Sequence, residues 1–264
     1  MELQVISFNI RCCDDPNGHA VVERAPRLAD AVIPYDADLI GFQEYKPRWE
    51  EHIEKYFGGE YERFNKYRDD ERRESAPILW KKDRFDCLEK GYFWLSDTPD
   101  EPSDGWDVLG HKRICEYAIL MHKESGKKFN FMNTHYGFSD DCQIKSSKLI
   151  AKKTAELSKL PTFVTGDFNM TPDSLGYAEL TRHLADVNKL TANDTRATFH
   201  GYDPEKNATE HIDYCFINDG VKPIHRELID KTYDGKYPSD HYGLFIKLEI
   251  SQRYKEKIWN LREK

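Results

Sequence analysis

The chain has 264 residues, of which 39% are hydrophobic and 33% are charged, and its formal net charge is -8. This length is sufficient to bury a substantial core, and the composition is typical of a globular domain. The sequence has no apolar run of about 18 residues, which excludes a membrane-spanning helix. The acidic balance argues against a broad basic groove for nucleic acid.

Apolar, β-rich runs recur along the chain with helical patterns between them. In chain order, the predicted strands are Leu3–Ile10, Leu39–Phe42, Tyr61–Asn65, Ile78–Trp80, Phe85–Trp94, Cys115–His122, Phe129–Thr134, Thr162–Thr165, His211–Ile217, Ile224–Ile229 and His241–Ile250. The predicted helices are Glu23–Tyr35, Trp49–Phe57, Asp141–Leu157 and Leu175–Arg182. Strands dominate, so we expect two packed sheets with helices on the outside.

No Gly/Ser-rich linker and no internal repeat divides the chain. We therefore expect a single domain over residues 1–250 and a polar C-terminal tail over 251–264 that could form a helix. The long loops Arg11–Val22, Tyr67–Ala76 and Ser96–Arg113 are candidates for function. The six cysteines form no CxxC pair, which favours buried thiols over a disulfide framework or a zinc site.

The segment Thr165–Ser174, TGDFNMTPDS, carries the strongest chemical signal. It follows a short apolar strand, and Asp167 and Asn169 stand two residues apart, a spacing that directs both side chains to one face of an extended segment. The turn that follows places Asp173 or Ser174 where it can cap a helix. Hard oxygen donors at a strand end suit Mg²⁺ or a phosphate held near it.

Polar side chains stand at the ends of other predicted strands in the same way. They are Asn9 in VISFNI, Glu44 after LIGFQ, His135 with Asn133 in FNFMNTH, Asp213 in HIDYCFI, and Asp240 with His241 before the last strand. Each alone is typical of a cap or a hydrogen-bonded structural residue. Their repetition after apolar runs predicts one shared site.

These segments resemble blocks of the endonuclease/exonuclease/phosphatase superfamily, which has the DNase I-like fold. The matching blocks appear in the family's order and span nearly the whole chain: SFNIR, GFQE, NTHYG, TGDFNMTPDS, IDY and PSDHYGL. FWLSDTP, KRIC and TFHGY further resemble a bacterial-type subgroup. The resemblance implies an α/β fold, a four-layer α-β-β-α sandwich of two mainly antiparallel sheets, with the active site at one edge.

The resemblance also implies roles for the strand-end residues. Glu44 would be the principal Mg²⁺ ligand, helped by Asn9 and Asp240, and Mn²⁺ could substitute for Mg²⁺. Asp167 and Asn169 would orient the attacking water and the phosphate, or hold a second ion. The remaining catalytic candidates are His241 oriented by Asp213, and His135 as a general acid with Glu74 as its carboxylate partner.

Elementary chemistry supports those roles. Hydrolysis of a phosphoester needs charge neutralisation at the non-bridging oxygens, which a metal ion and a protonated histidine supply. It also needs an activated water, for which Asp167 is a suitable base. A carboxylate beside each histidine fixes its tautomer and raises its pKa.

Substrate-binding candidates are Arg11, Arg72, Arg73, His111 and Trp106. The alternative, non-functional roles are a solvated charge run for the arginines and loop packing for His111 and Trp106. The chain departs from many relatives at two positions: Ala76 stands where they carry Asn, and His211 where they carry Arg. A structural role is expected for His211.

The sequence thus predicts a Mg²⁺-dependent phosphoester hydrolase, with a phosphodiesterase favoured. The alternatives are a phosphomonoesterase on a small phosphorylated metabolite or lipid headgroup, a nuclease, and a non-catalytic binding module of the same fold. A small-molecule, glycan or lipid-headgroup phosphoester is the favoured partner, nucleic acid is possible, and a monomer is expected. A cytoplasmic location is favoured over a secreted or periplasmic one, since the N-terminus does not look like a signal peptide.

Overall fold

The structure is a computed structural model that describes residues 1–157, 159–208 and 210–251. Its strands are β1 (Glu2–Asn9), β2 (Leu39–Gln43), β3 (Tyr61–Phe64), β4 (Ile78–Lys81), β5 (Phe85–Trp94), β6 (Ile114–His122), β7 (Lys128–His135), β8 (Thr162–Asp167), β9 (Ala185–Asp186), β10 (Asp213–Ile217), β11 (Val221–Ile229) and β12 (Gly243–Ile250). Its α-helices are α1 (Val21–Val32), α2 (Glu50–Phe57), α3 (Asp140–Leu157), α4 (Leu175–Thr181), α5 (Val187–Leu190) and α6 (Pro204–Asn207). Apart from Ser251, the predicted tail lies outside the described residues.

The strands form two mixed sheets. One has the order β11-β12-β1-β2-β4-β3 and the other β5-β6-β7-β8-β10-β9. The pairs β1–β2 and β7–β8 are parallel, and the other strand pairs are antiparallel. This confirms the predicted pair of mainly antiparallel sheets.

Three apolar clusters separate the layers, and the alternation of side chains along each strand produces them. Val5 packs between the sheets whereas its neighbour Ile6 packs with residues of α1 and α2. In the other sheet Phe131 faces the inter-sheet core, whereas Met132 packs in the cluster that contains residues of α3 and α4. The result is the expected four-layer α-β-β-α sandwich.

Several predicted boundaries differ from the structure. The first helix was expected to continue to Tyr35, but α1 ends at Val32 and a 3-10 turn follows over Ile33–Tyr35. Pro34 lacks the backbone N–H that a continuing α-helix would use. The last strand begins at Gly243, which leaves Asp240 and His241 in the segment that precedes it. Ser174 caps α4, as predicted, by accepting a hydrogen bond from Tyr177 N (3.2 Å).

The two sheets are joined at one edge by the buried side chain of Asn133 on β7. Its Nδ2 donates to the carbonyl oxygen of Phe42 at 2.7 Å, and its Oδ1 accepts from Gln43 Nε2 at 2.8 Å and Thr165 Oγ1 at 2.9 Å. Gly41 makes this approach possible, because a Cβ there would lie 2.7 Å from the Asn133 side chain. The strand ends of both sheets are thereby fixed against each other.

Candidate active site

Three predicted catalytic residues form a row across adjacent strand ends of one sheet. His135 on β7 is the register partner of Asp167 on β8, and Asp167 is the register partner of Asp213 on β10. Cross-strand neighbours share a face of the sheet, and all three residues are buried. The parallel pairing of β7 with β8 therefore brings the NTH and GDF blocks together directly.

The facing sheet contributes Asn9 at the end of β1 and Glu44 directly after β2. Asn9 Nδ2 donates to Glu44 Oε1 at 3.2 Å and to Asp167 Oδ2 at 2.9 Å, which ties the strand ends of the two sheets together. Both Glu44 and Asn169 have a left-handed backbone conformation, with φ angles of 58° and 49°. Left-handed backbone at non-glycine residues costs about 1–3 kcal/mol and concentrates at functional sites.

His241 is held by Asp213. Its Nδ1 lies 2.9 Å from Asp213 Oδ2, and its Nε2 lies 3.7 Å from Asp167 Oδ2. Burial opposes the charged imidazolium, but the carboxylates of Asp213, Asp167 and Asp240 outweigh it and raise the pKa of His241 to about 10. The charged form of His241 is therefore favoured, and its Nε2 lies on the side of Asp167.

His135 stands between two carboxylates on the other side of Asp167. Its Nε2 is 3.6 Å from Asp167 Oδ2 and its Nδ1 is 3.5 Å from Glu74 Oε1. Burial works against ionisation of Glu74, but the His135 ring and the Arg68 guanidinium (2.8 Å) lower the pKa of its carboxyl. Glu74 is thus a carboxylate within 4 Å of His135, and His135 Nδ1 is buried without a hydrogen-bond partner in the described part of the chain.

The side of the site that faces Arg11 carries three carboxylates, of which Asp240 is buried and Asp15 and Glu44 are half-buried. Arg11 lies 3.6 Å from Asp240 and 3.9 Å from Glu44, and it also pairs with Asp15 at 2.9 Å. Burial and the neighbouring Glu44 raise the pKa of Asp240, although His241 opposes the rise. One arginine does not balance these carboxylates.

The residues present therefore fit a divalent cation. Burial and the adjacent Asp213 carboxylate also raise the pKa of Asp167, and Asp213 Oδ1 is buried without a hydrogen-bond partner in the described part of the chain. A bound cation would relieve this crowding of negative charge. Carboxylate oxygens are the donors that Mg²⁺ prefers, and Glu44 and Asp240, which lie 3.9 and 3.6 Å from Arg11, could hold it.

Asn9 has a different orientation from the one expected of a metal ligand. Its Nδ2 faces the carboxylates, and its Oδ1 accepts a hydrogen bond from Arg11 N at 3.0 Å. Asn9 could ligate a metal ion only if its side-chain amide rotated so that Oδ1 faced the carboxylates.

A second group that could hold an ion consists of Asp167, Asp213 and His241, whose potential ligand atoms lie within 4.8 Å of one another. His241 is protonated in its pairing with Asp213, which disfavours it as a ligand.

The predicted substrate-binding residues are distributed unevenly. Arg11 is at the site. Arg73 stacks on Tyr67, and Arg72 donates its backbone N–H to Asp69; neither has a contact with the catalytic cluster in the described part of the chain.

The two loop candidates after Ser96 also lie outside the cluster. His111 Nδ1 is 3.5 Å from Asp107 Oδ2, and Trp106 packs under Lys145. His211 has the structural role that was expected, because its Nδ1 lies 3.0 Å from the Arg196 carbonyl oxygen and its ring packs on Tyr214.

The sequence did not predict that two buried arginines lie beside Glu74. Arg68 pairs with Glu74 at 2.8 Å, and Arg113 pairs with Asp107 at 3.1 Å and lies 3.9 Å from Glu74. Arg68 stands in the same charged loop as Arg72 and Arg73, and only folding shows which arginine turns inward. The KRIC block, which contains Arg113, was the available signal.

The chain belongs to the endonuclease/exonuclease/phosphatase family, whose profile matches residues 6–241. It is similar in structure to an endonuclease/exonuclease/phosphatase family protein from Bacteroides thetaiotaomicron, with 30% identity, a TM-score of 0.87, and coverage of 94% of this chain and 97% of that one. A mannosyl-6-phosphatase from the same organism has 29% identity and a TM-score of 0.86, with coverage of 94% and 100%.

The chain spans less than half of the length of the curated relatives that it matches. One is the CCR4-Not complex 3'-5'-exoribonuclease subunit Ccr4 of Yarrowia lipolytica, with 23% identity over 311 residues, 87% of this chain and 44% of that protein. Among the described residues, no helix is long and apolar enough to cross a membrane.

Proposed function

We propose that the chain is a divalent-metal-dependent phosphoester hydrolase. The observation that carries this proposal is the placement of Asp167 between two histidines, each paired with a carboxylate of its own, next to Glu44. A structural ion-pair network would not require this accumulation of carboxylates at strand ends from both sheets.

Glu44 and Asp240 would hold the metal ion, which we propose to be Mg²⁺, with Mn²⁺ able to substitute. When bound, the ion would neutralise charge on the non-bridging phosphate oxygens. Asn9 positions Glu44 and Asp167 by donating to both from one amide nitrogen. This hydrogen bonding holds the metal side and the water side of the site in a fixed relation.

Asp167 is the proposed general base. Burial raises its pKa, and a base with a pKa nearer to neutrality takes a proton from water more readily. The water oxygen bonds to phosphorus, and its proton passes to Asp167. Asn169 N donates to Asp167 Oδ1 at 3.0 Å, which fixes the carboxylate while Oδ2 faces the two histidines.

The histidines have separate tasks. His241, a cation because of Asp213, would donate a hydrogen bond to a phosphate oxygen through Nε2. His135 would donate its Nε2 proton to the leaving oxygen as the phosphorus–oxygen bond breaks, while Glu74 stabilises the imidazolium from the Nδ1 side. The products are an alcohol and a phosphomonoester from a diester, or an alcohol and inorganic phosphate from a monoester.

Two kinds of substrate remain candidates. A phosphodiester is the class that the sequence favours, and similarity to an exoribonuclease subunit supports it. A sugar phosphomonoester is the second candidate, supported by similarity over nearly the whole chain to a mannosyl-6-phosphatase. If the substrate is a phosphodiester, the net charge of -8 favours a small one over a polynucleotide.

The test is hydrolysis of bis-p-nitrophenyl phosphate and p-nitrophenyl phosphate with Mg²⁺, Mn²⁺ or EDTA. We expect turnover that requires metal, with His135→Ala and Asp167→Ala each lowering kcat at least 100-fold. A suitable control is His225→Ala, which removes an exposed histidine that also pairs with a carboxylate (Glu227, 3.1 Å). Failure of both substrates would favour a non-catalytic binding module, and near-normal rates in the two variants would refute the roles.

A further inference from the structure

A cleft of about 500 Å³ opens beside Arg11 and Asp240, at the metal side of the site. Its volume is within the range of small-molecule sites, about 300–1,000 Å³. Its walls come from two segments that are distant in sequence. The first supplies Asp15, Asn17 and His19, and the second supplies Tyr202 and Asp203. The proposed roles of the catalytic residues do not account for this cleft.

The first wall is held rigidly against the reaction centre. Arg11 donates to both carboxylate oxygens of Asp15, at 2.9 and 3.1 Å, and the Tyr202 hydroxyl donates to Asp15 Oδ2 at 3.3 Å. Asp15 N donates to the His19 carbonyl oxygen at 3.3 Å. The arginine that faces Glu44 and Asp240 therefore also fixes the position of the cleft wall.

The second wall is anchored on Asp240 itself. His200 N and Gly201 N donate to the Asp240 carbonyl oxygen at 2.9 and 3.0 Å. Tyr202 has a φ of 65°, a left-handed conformation that costs an aromatic residue about 1–3 kcal/mol. That conformation places the Tyr202 ring on the His19 ring, with centroids 3.8 Å apart. His19 Nδ1 is buried and has no hydrogen-bond partner in the described ranges.

The chemistry of the lining selects a class of ligand. The carboxylates of Asp15, Asp203 and Asp240 line the cleft together with the cation Arg11, which already pairs with Asp15 and Asp240. Among the described lining residues no unpaired cation is left for a second phosphate, which disfavours a polynucleotide chain in this cleft. The Asp15 and Asp203 carboxylates, with the Asn17 amide, can accept hydrogen bonds from neutral hydroxyl groups. The aromatic surface of His19 and Tyr202 offers an apolar face.

We propose that this cleft is the subsite for a neutral, polyhydroxylated ring that carries the scissile phosphate, that is, the sugar part of a phosphorylated sugar. The proposal rests on the proposed hydrolase function and deepens it. Because a ligand without hydroxyl groups forms none of the hydrogen bonds that Asp15, Asn17 and Asp203 offer, the subsite favours phosphorylated sugars over phosphoesters of simple aromatic alcohols.

The test compares kcat/KM for mannose 6-phosphate and glucose 6-phosphate with that for p-nitrophenyl phosphate, which has no sugar hydroxyls. The informative variants are Asn17→Gly and Tyr202→Phe. Asn17 has a φ of 62°, which glycine adopts readily, so this substitution removes the amide and keeps the backbone. Asn193→Gly is the matched control, because Asn193 is exposed, has a φ of 46° and does not line the cleft.

We expect the wild type to prefer at least one hexose 6-phosphate. Each cleft variant should lower kcat/KM for it about 10-fold, the value of one hydrogen bond, with a much smaller loss for p-nitrophenyl phosphate. Turnover of p-nitrophenyl phosphate without sugar preference, or equal losses on both substrates, would overturn the subsite alone. Absence of turnover on every phosphoester would overturn the proposed function and the subsite with it.

Discussion

Glu116 is a buried carboxylate between the sheets, and replacing it with Gln gives a sharp test of the electrostatics. Glu116 accepts hydrogen bonds from Lys66 N at 3.1 Å and from Ala76 N at 3.0 Å. It therefore fixes both ends of the loop that carries Arg68 and Glu74. Burial raises the pKa of its carboxyl to about 8, because the two backbone hydrogen bonds only partly offset the loss of hydration.

The raised pKa sets the direction of the pH dependence. Between the ordinary value of 4.5 and about 8, the folded chain keeps the Glu116 proton, whereas the unfolded chain releases it. The free energy of unfolding therefore falls as pH rises, by about 1.4 kcal/mol for each pH unit. Over the whole interval this amounts to about 5 kcal/mol, an order-of-magnitude figure that Glu116→Gln removes.

Urea unfolding of the wild type and Glu116→Gln at several pH values from about 5 to 9 measures directly how the stability difference between them depends on pH. We expect the variant to gain stability relative to the wild type from pH 5 to about pH 8. Glu124→Gln, on an exposed turn, is the control and should show no such trend. A stability difference that stays constant across this range would refute the reasoning, since it would mean that the hydrogen bonds fully compensate burial.

Three further substitutions test the site. Asp167→Asn should lower kcat at least 100-fold and raise the metal-free Tm, because it removes a crowded buried charge; a lower Tm would contradict the charge argument. Glu74→Gln should cost about 3 kcal/mol in urea unfolding because Arg68 loses its charged partner, and should lower kcat about 100-fold through His135; unchanged values would remove Glu74 from the account. Asn133→Ala should cost about 2–4 kcal/mol through unsatisfied buried groups, and a loss under 1 kcal/mol would show that the sheets do not depend on it.

The pattern of apolar runs predicted two packed sheets with outer helices, and the resemblance carried by the ordered motifs implied the four-layer sandwich and the edge where the candidate site lies. Val5 and Ile6 face opposite layers, as a period of two requires. His135 and Asp167 meet because parallel strands end at the same edge. These features depend on local pattern, which the sequence carries.

Other features depend on tertiary partners and could not be predicted. Arg68 turns inward to Glu74 whereas Arg73 stacks on Tyr67, although both arginines lie in one charged loop. Which arginine is buried is decided by a carboxylate whose position only the fold determines. The cleft proposed as the sugar subsite could not be predicted for the same reason, because its walls, around Asn17 and Tyr202, lie far apart in sequence.

The central claim is that Glu44 holds a divalent cation that phosphoester hydrolysis requires. The most direct measurement is the rate of p-nitrophenyl phosphate or bis-p-nitrophenyl phosphate hydrolysis, whichever is turned over, as a function of Mg²⁺ concentration in the wild type and Glu44→Gln. We predict saturable activation of the wild type, no turnover in EDTA, and at least a 10-fold weaker Mg²⁺ response in the variant. Equal activity in EDTA, or the same Mg²⁺ dependence in the wild type and Glu44→Gln, would contradict the account.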